Sequence, residues 1–242
     1  MRWPMQLSKR LREIGNLVIP GSRVADIGCD HAYTSIYLIK KNISPYVIAM
    51  DINKGPLERA RMNIEDYGYM DKIELRQSDG IKEIKEGEVD TLLIAGMGGS
   101  LMLKILYEGR DIIRRDIESL ILQPQSDISL VRKQLKDFGF LIVYENMIKE
   151  DGKYYPMMRA EKESKIEDKE AYDLTEEEHY NFGRLLLEGK HKVLEEYLIK
   201  KRRQLEKINN NLMANPTKRA ALRQEEILSM TKLIDSSLKY FY

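Results

Sequence analysis

The sequence predicts an α/β protein, a doubly wound and mostly parallel sheet followed by an α-helical hairpin. Three observations carry that expectation. Strand-like runs alternate with helix-period stretches from residue 24 to about residue 160. Two of those runs, Thr91-Leu92-Leu93-Ile94-Ala95 and Leu120-Ile121-Leu122, are apolar on both faces, as parallel strands covered by helices require. Beyond residue 176 the apolar residues recur only at helical spacing.

Each element has a local reason. Ser8 can cap a first helix that carries Leu11, Ile14 and Val18 on one face, and Pro20-Gly21 ends it. Strands are expected at 24–27, 46–50, 73–76, 91–95, 120–123, 140–145 and 155–160, with helices at 34–41, 56–67, 100–108 and 128–138. Residues 161–175 are mostly charged and lack apolar periodicity, which reads as a linker or a partly ordered loop. Val193, Tyr197, Leu205, Ile208 and Leu212 then mark one amphipathic helix, and Ile227, Met230, Ile234 and Leu238 mark a second. Asn215-Pro216 is the expected turn between them, and 180–187 should fold over one end of the hairpin. The expected division is therefore 1–160 for the sheet domain, 161–175 for the linker and 176–242 for the helical domain.

Composition narrows the class. Of 242 residues, 43% are hydrophobic and 33% charged, which suits a packed core beneath a heavily charged surface. No apolar run approaches the ~20 residues of a membrane span. The start, Met1-Arg2-Trp3-Pro4-Met5, lacks a signal-peptide core, and the lone Cys29 allows no internal disulfide, so a cytoplasmic protein is expected. The net charge of +1 neither favours nor opposes nucleic acid, so only local patches bear on that question. No metal is expected.

The sharpest local signal is Val24-Ala25-Asp26-Ile27-Gly28-Cys29-Asp30-His31-Ala32, where the first strand meets its helix. Ligands of open α/β sheets bind outside the carboxyl ends of the strands near the point where strand order reverses. Gly28 would let the backbone approach a ligand closely, although a strand–helix turn alone also accounts for it. A dinucleotide site wants G-x-G-x-x-G here, and this loop has one of those glycines together with Asp26 and Asp30. Two carboxylates would repel a pyrophosphate and suit an ammonium and a sulfonium, the groups S-adenosylmethionine presents. A nicotinamide oxidoreductase is disfavoured on both grounds.

Further signals stand at successive strand ends. Asp51 lies 25 residues after Asp26, where an acid can accept from both ribose hydroxyls; it could instead cap the next helix, for which Asn53 is better placed. Asp79-Gly80 ends the third strand, where an Asp can accept from an adenine amino group, although Asp-Gly is also a plain turn. Ala95-Gly96-Met97-Gly98-Gly99 follows the fourth strand, and three glycines in four residues imply close backbone approach. Gln123-Pro124 follows the fifth.

With these residues assembled, the sequence resembles the bacterial tRNA (adenine-22-N1)-methyltransferase family. The matching segments are Leu7-Ser8-Lys9-Arg10-Leu11 with Ile14, Ala25 through Tyr33, Asn53 with Gly55-Pro56-Leu57, and Asp79-Gly80. Asp90-Thr91 through Gly99, Leu120 through Pro124, and Glu150-Asp151-Gly152-Lys153 with Tyr155 complete the match. Cys29 stands where the family pattern suggests serine, Met50-Asp51 where it suggests a glutamate-containing pair, and Gln125 where it suggests asparagine.

The resemblance implies a Rossmann-like methyltransferase domain with a coiled-coil-like helical appendage, an S-adenosyl-L-methionine cofactor and a tRNA substrate. It implies a cofactor shell of Asp26, Gly28, Asp30, Asp51, Asn53, Asp79, Gly80, Ala95, Gly96 and Met97. Adenine N1 carries an in-plane lone pair, so the enzyme's task is alignment and exclusion of water rather than proton removal. Stacking against Tyr33 or Tyr155, and hydrogen bonds from Gln123 or His31, would hold the extruded base. A histidine at a helix start is more often a cap than a catalyst, and the resemblance is what makes His31 a candidate.

Two basic patches could hold RNA phosphates: Arg2, Lys9, Arg10 and Arg12 near the start, and Lys200-Lys201-Arg202-Arg203 on the appendage. Either could equally be a solvated face. A monomer is expected. The competing readings are a methyltransferase for a small molecule or protein, with the hairpin as lid or dimer contact, and a non-catalytic S-adenosylmethionine- or RNA-binding protein.

Overall fold

The computed structural model describes residues 7–214 and 217–242, so the chain's first six residues, with Arg2 of the N-terminal basic patch, and the expected Asn215-Pro216 turn lie outside the described residues. Seven strands, β1 (Val24–Ile27), β2 (Val47–Asp51), β3 (Ile73–Gln77), β4 (Thr91–Met97), β5 (Ser119–Pro124), β6 (Phe140–Glu150) and β7 (Lys153–Lys162), form one sheet. Their order is β3-β2-β1-β4-β5-β7-β6. The first five are parallel, and β7 runs antiparallel to both β5 and β6. The chain therefore leaves β1 toward β2 and β3, then returns to the other side of β1 at β4. That reversal opens a crevice between the carboxyl ends of β1 and β4.

All four residues of β1 are buried, as is every residue of β5. Both faces need cover, and helices α1 (Lys9–Gly15), α2 (Tyr33–Lys40), α3 (Lys54–Tyr67), α4 (Gly99–Glu108), α5 (Arg110–Asp116) and α6 (Ile128–Leu135) supply it. Ile48, Leu92, Leu120 and Met102 share one apolar core, and Val24, Val47, Leu93 and Ile36 share the other. Ser8 caps α1 as expected, its hydroxyl accepting from the Leu11 amide at 3.2 Å. The helix ends at Gly15, so Val18 is buried beyond it rather than on its face.

Three expectations are corrected. First, the β6–β7 hairpin is longer than 140–145 and 155–160, because Asp151 and Gly152, with φ of 49° and 74°, make a tight turn that keeps the strands paired to Glu150 and Lys153. Second, the supposed linker begins inside β7, where Glu161 pairs with Leu141 in the ladder and reaches Arg159 at 3.1 Å. The rest of that segment is fastened too, by Lys136 to Asp173 at 2.6 Å and by Arg184 to the carbonyls of Glu170 and Asp173. Third, the face buried by the first hairpin helix, α9 (Lys192–Ala214), is led by Leu194, Leu198 and Leu205, while Ile208 is exposed.

The hairpin's second helix, α10 (Lys218–Leu238), buries Ile227 and Ile234 against α9. Two short helices, α7 (Glu177–Phe182) and α8 (Arg184–Glu188), join the hairpin to the sheet domain. Gly183 between them has φ +95°, and a Cβ there would come within 2.5 Å of the Glu145 carboxylate, so only glycine fits.

Candidate functional site

The turn after β1 is built from unusual backbone. Gly28, Asp30 and Ala32 have φ of 72°, 46° and 55°, and the amides of Gly28 and Cys29 both donate to the Met50 carbonyl at 2.8 and 3.0 Å. The next loop crosses close by, since a Cβ on Gly28 would lie 2.3 Å from Met97 Cε. Gly28 is thus favoured by its left-handed backbone, while any side chain there would have to displace the end of the flexible Met97 side chain. Between these loops and α1 lies an open cleft of about 280 Å³, lined by residues that include Arg10, Asp26, Gly28, Asp30, His31, Tyr33, Ala95 and Gly96. That volume is at the small end for a ligand site, enough for one end of a nucleoside-sized ligand.

The cleft's two carboxylates differ. Asp26 is buried, accepts a hydrogen bond from the Ser35 hydroxyl at 2.6 Å, and has its carboxyl pushed up to about 6 by loss of solvent. Asp30 is largely exposed and pairs with Arg59 at 3.0 Å. The rings of His31 and Tyr33 stack at 5.5 Å with 15° between their planes. The His31 carbonyl accepts from the Asn63 side chain, which fixes the loop's departure angle.

Asp51, Asn53, Asp79 and Gly80 stand outside this cleft, on the same sheet edge at the ends of β2 and β3. Asp51 accepts the Asn53 amide at 2.9 Å, and Asn53 sits at the N-cap of α3 without a side-chain capping bond. The expected capping role of Asn53 is therefore not filled by its side chain. Asp79 is exposed and pairs with Lys82 at 2.6 Å; that ammonium holds its carboxyl below the usual range. Gly80 has φ +68° and packs on Ile105.

Gln123 is fully buried and both ends of its amide are used. Its oxygen accepts from Arg10 Nη1 at 2.9 Å and its nitrogen donates to the Pro124 carbonyl at 3.2 Å. The Arg10 guanidinium also lies 5.7 Å from the centre of the Tyr155 ring. Gln123 and Tyr155 thus meet through Arg10, a residue that sequence reasoning grouped with the surface cations. Leu11, Cys29, Thr34 and Gln125 also line the cleft and were not singled out as site residues. Burial, reinforced by the Asp26 carboxylate, pushes the Cys29 thiol far up, so it stays neutral.

The basic patches divide. Lys9 is exposed and its amide donates to Glu150, while Arg12 faces Glu13 at 3.7 Å. On α9, Arg202 is engaged by Asp235 at 2.6 Å and Glu206 at 3.0 Å. Lys200 and Arg203 line an open groove with Lys207, and Lys200 lies over the Tyr154 ring at 5.2 Å. Lys201 is half-buried on another face. The four consecutive cations are not one surface, because a helix turns 100° per residue. Among the described residues, no group of three or more His, Cys, Asp or Glu could hold a metal ion, and no helix is long and apolar enough to cross a membrane.

Residues 7–158 match a family model described as a methyltransferase domain. The chain is 38% identical over 157 residues to the tRNA (adenine(22)-N(1))-methyltransferase of Bacillus subtilis, an alignment covering 65% of this chain and 66% of that one. In fold it is similar to a Streptococcus pneumoniae protein, a candidate tRNA (m1A22) methyltransferase solved with S-adenosyl-L-methionine. That pair is 29% identical with a TM-score of 0.83, covering 96% of this chain and 100% of the other. It is also similar to M. capricolum TrmK solved with S-adenosyl-homocysteine, at 28% identity and TM-score 0.82, covering 98% of this chain and 99% of the other.

Proposed function

The chain belongs to the methyltransferase-domain family whose model matches residues 7–158, and from that premise we propose that it methylates N1 of an adenine in tRNA, the position 22 for which its Bacillus relative is named. The cofactor is S-adenosyl-L-methionine, in keeping with the relatives solved with it and with its product. The observation that carries the reading is the cleft at the β1/β4 reversal, where buried Asp26 and exposed Asp30 face the same space. Two carboxylates there oppose a pyrophosphate and favour an ammonium beside a sulfonium.

When bound, S-adenosylmethionine supplies an electrophilic methyl group. Asp26 and Asp30 hold the ammonium end; Asp51 accepts from the ribose hydroxyls, and Asp79 with Gly80 meets the adenine edge. These last residues stand along one sheet edge with the cleft, which supports a ligand extended across the strand ends. Adenine N1 presents a lone pair, so no cleft residue must take a proton before the N1–CH3 bond forms. The residues of the cleft therefore align the base and exclude water. The His31–Tyr33 stack and the Tyr155 ring offer aromatic faces for a base turned out of its helix.

The helical hairpin carries the RNA grip, chiefly through Lys200 and Arg203, which face its open groove. The protein acts as a monomer on the cytoplasmic tRNA pool. A small-molecule or protein substrate is disfavoured by the match to tRNA methyltransferases along nearly the whole chain. Incubating unmodified tRNA with labelled cofactor and mapping the methyl group tests the reading. Label on adenine N1 is expected; label on the N6 amine or on ribose overturns it.

A further inference from the structure

One carboxamide lines the cleft among the described residues, that of Gln125. It follows β5 directly, and its backbone amide donates to the Met97 carbonyl at 2.8 Å, which ties the loop after β5 to the loop after β4. The side chain is exposed and has no hydrogen-bond partner among the described residues. Its Nε2 lies beside Gly96, 3.7 Å from where a Cβ on that residue would stand. Gln123 is the opposite case, fully buried with its amide engaged by Arg10 and by the Pro124 carbonyl. Gln125 therefore offers both a donor and an acceptor, on a fixed backbone, to a molecule entering the cleft from the β5 side.

We propose that Gln125 selects adenine by its N6 and N7 edge, Oε1 accepting from the N6 amine and Nε2 donating to N7. The inference rests on the reading of the chain as a tRNA adenine-N1 methyltransferase. On that reading the cofactor extends from the cleft toward Asp51 and Asp79 at the ends of β2 and β3. The acceptor base then enters from the other side, past β4 and β5. In the reaction the C–S bond breaks with its electron pair left on sulfur, and the N1 lone pair forms the N1–CH3 bond. No proton is lost, and the positive charge passes to the purine. N1 must stay clear of hydrogen-bond donors, so the identity of the base is read at N6 and N7. Two adjacent groups of opposite polarity suit a carboxamide. The Tyr33 and Thr34 hydroxyls each present one atom, and the two ring nitrogens of His31 point apart, so none of these spans both groups. Guanine carries an acceptor, O6, in place of the amine, so one of its two contacts with Gln125 always sets acceptor against acceptor. Charge developing on the purine spreads to the N6 amine, and its hydrogen bond to Oε1 strengthens toward the transition state.

The test measures single-turnover methylation by the intact protein and by Gln125→Leu, on synthetic tRNAs carrying adenine or 7-deazaadenine at the target. The deaza base keeps N1 and N6 and replaces the N7 acceptor with C–H. Its effect on N1 itself is common to both proteins, so the comparison is between their adenine-to-deazaadenine rate ratios. The ratio should be roughly 2- to 10-fold larger in the intact protein, the range for one neutral hydrogen bond. Gln125→Leu should also methylate adenine roughly 5- to 150-fold more slowly, the range for a bidentate carboxamide–adenine pair. Its affinity for S-adenosylmethionine, read by calorimetry, should be unchanged, which shows that the cleft is folded. If Gln125→Leu does not bind the cofactor, Gln125→Glu decides: a carboxylate keeps the acceptor for N6 and offers N7 no donor, so its ratio should match that expected of the leucine variant. Equal ratios in the intact protein and the variant, or full-rate methylation of adenine by Gln125→Leu, overturn the proposal. Loss of cofactor binding in both variants assigns Gln125 to the cofactor and overturns it as well. An intact protein that leaves adenine N1 unmethylated overturns the tRNA methyltransferase reading itself.

Discussion

The Ser35 hydroxyl donates to the Asp26 carboxylate across 2.6 Å, and both side chains are buried at the base of the cleft. One hydroxyl does not replace the lost water, so the Asp26 carboxyl is pushed up to about 6 from 3.8. In the free protein the unfolded chain then binds fewer protons than the native one between those values. Stability therefore falls as pH rises from about 4 to 6, by roughly 3 kcal/mol at most. An ammonium bound beside Asp26 reverses the preference, because it favours the ionised form. Affinity for S-adenosylmethionine should thus rise from pH 5 to pH 7 and level off above. Asp26→Asn should melt higher than the intact protein at pH 7, bind the cofactor more weakly, and lose the pH dependence. Calorimetry across that range checks it, and a flat profile in the intact protein counts against Asp26 as an ammonium contact.

A second buried contact ties the helical region to the sheet. Arg132 and Glu145 pair at 2.8 Å with side chains only 1% exposed. Arg132 also donates to the carbonyls of Tyr180 and Asn181, and Glu145 accepts the Leu185 amide. Removing one partner strands a buried charge, so Arg132→Met should cost about 3–5 kcal/mol in denaturant unfolding. The double variant Arg132→Met with Glu145→Leu should recover part of that loss. If the double variant is as damaged as the sum of the singles, the backbone contacts matter more than the ion pair.

Much of this fold is legible in the chain, and the misses have physical reasons. The first strand spans 24–27 as expected because the apolar Val24, Ala25 and Ile27 frame Asp26 and all four residues are buried. Helix α5 carries no sequence signal, since Arg110–Asp116 is mostly charged and buries only Ile113. The β6–β7 hairpin outruns its apolar part because ladder hydrogen bonds, not side-chain burial, hold Lys149, Glu150 and Lys153 in register. Acidic residues at strand ends are readable because topology alone sets their edge. Arg10 is not, because its direction depends on Gln123, 113 residues away, and no local pattern distinguishes it from Lys9 or Arg12.

At the end of β2, one Asp51 oxygen is occupied by the Asn53 amide at 2.9 Å. If the carboxylate also accepts from ribose hydroxyls, Asp51→Ala should weaken cofactor binding by about 1.5–3 kcal/mol, the range for hydrogen bonds to a charged group. Adenine itself should show no such difference, since it lacks the ribose. Unchanged affinity for S-adenosylmethionine in a folded Asp51→Ala protein would leave the residue with a local structural role only.

The division of the basic run on α9 gives a test that composition alone could not. Lys200 and Arg203 face an open groove, whereas Arg202 is already engaged by Asp235 and Glu206. Phosphate binding releases counterions, so each lost contact should flatten the plot of log affinity against log salt by ~0.7–0.9. The double variant Lys200→Gln with Arg203→Gln should therefore weaken tRNA binding and lower that slope by up to about 1.4–1.8, if each side chain meets one phosphate. Arg202→Gln should leave the slope unchanged, because its cation already pairs within the hairpin. Glutamine keeps a long polar side chain and good helix propensity, so the helix should survive all three changes. Filter binding across a salt series reads the outcome. Equal effects from Arg202 and from the groove pair would mean that RNA reads the net charge of the hairpin; no effect from either would move the RNA grip off this helix.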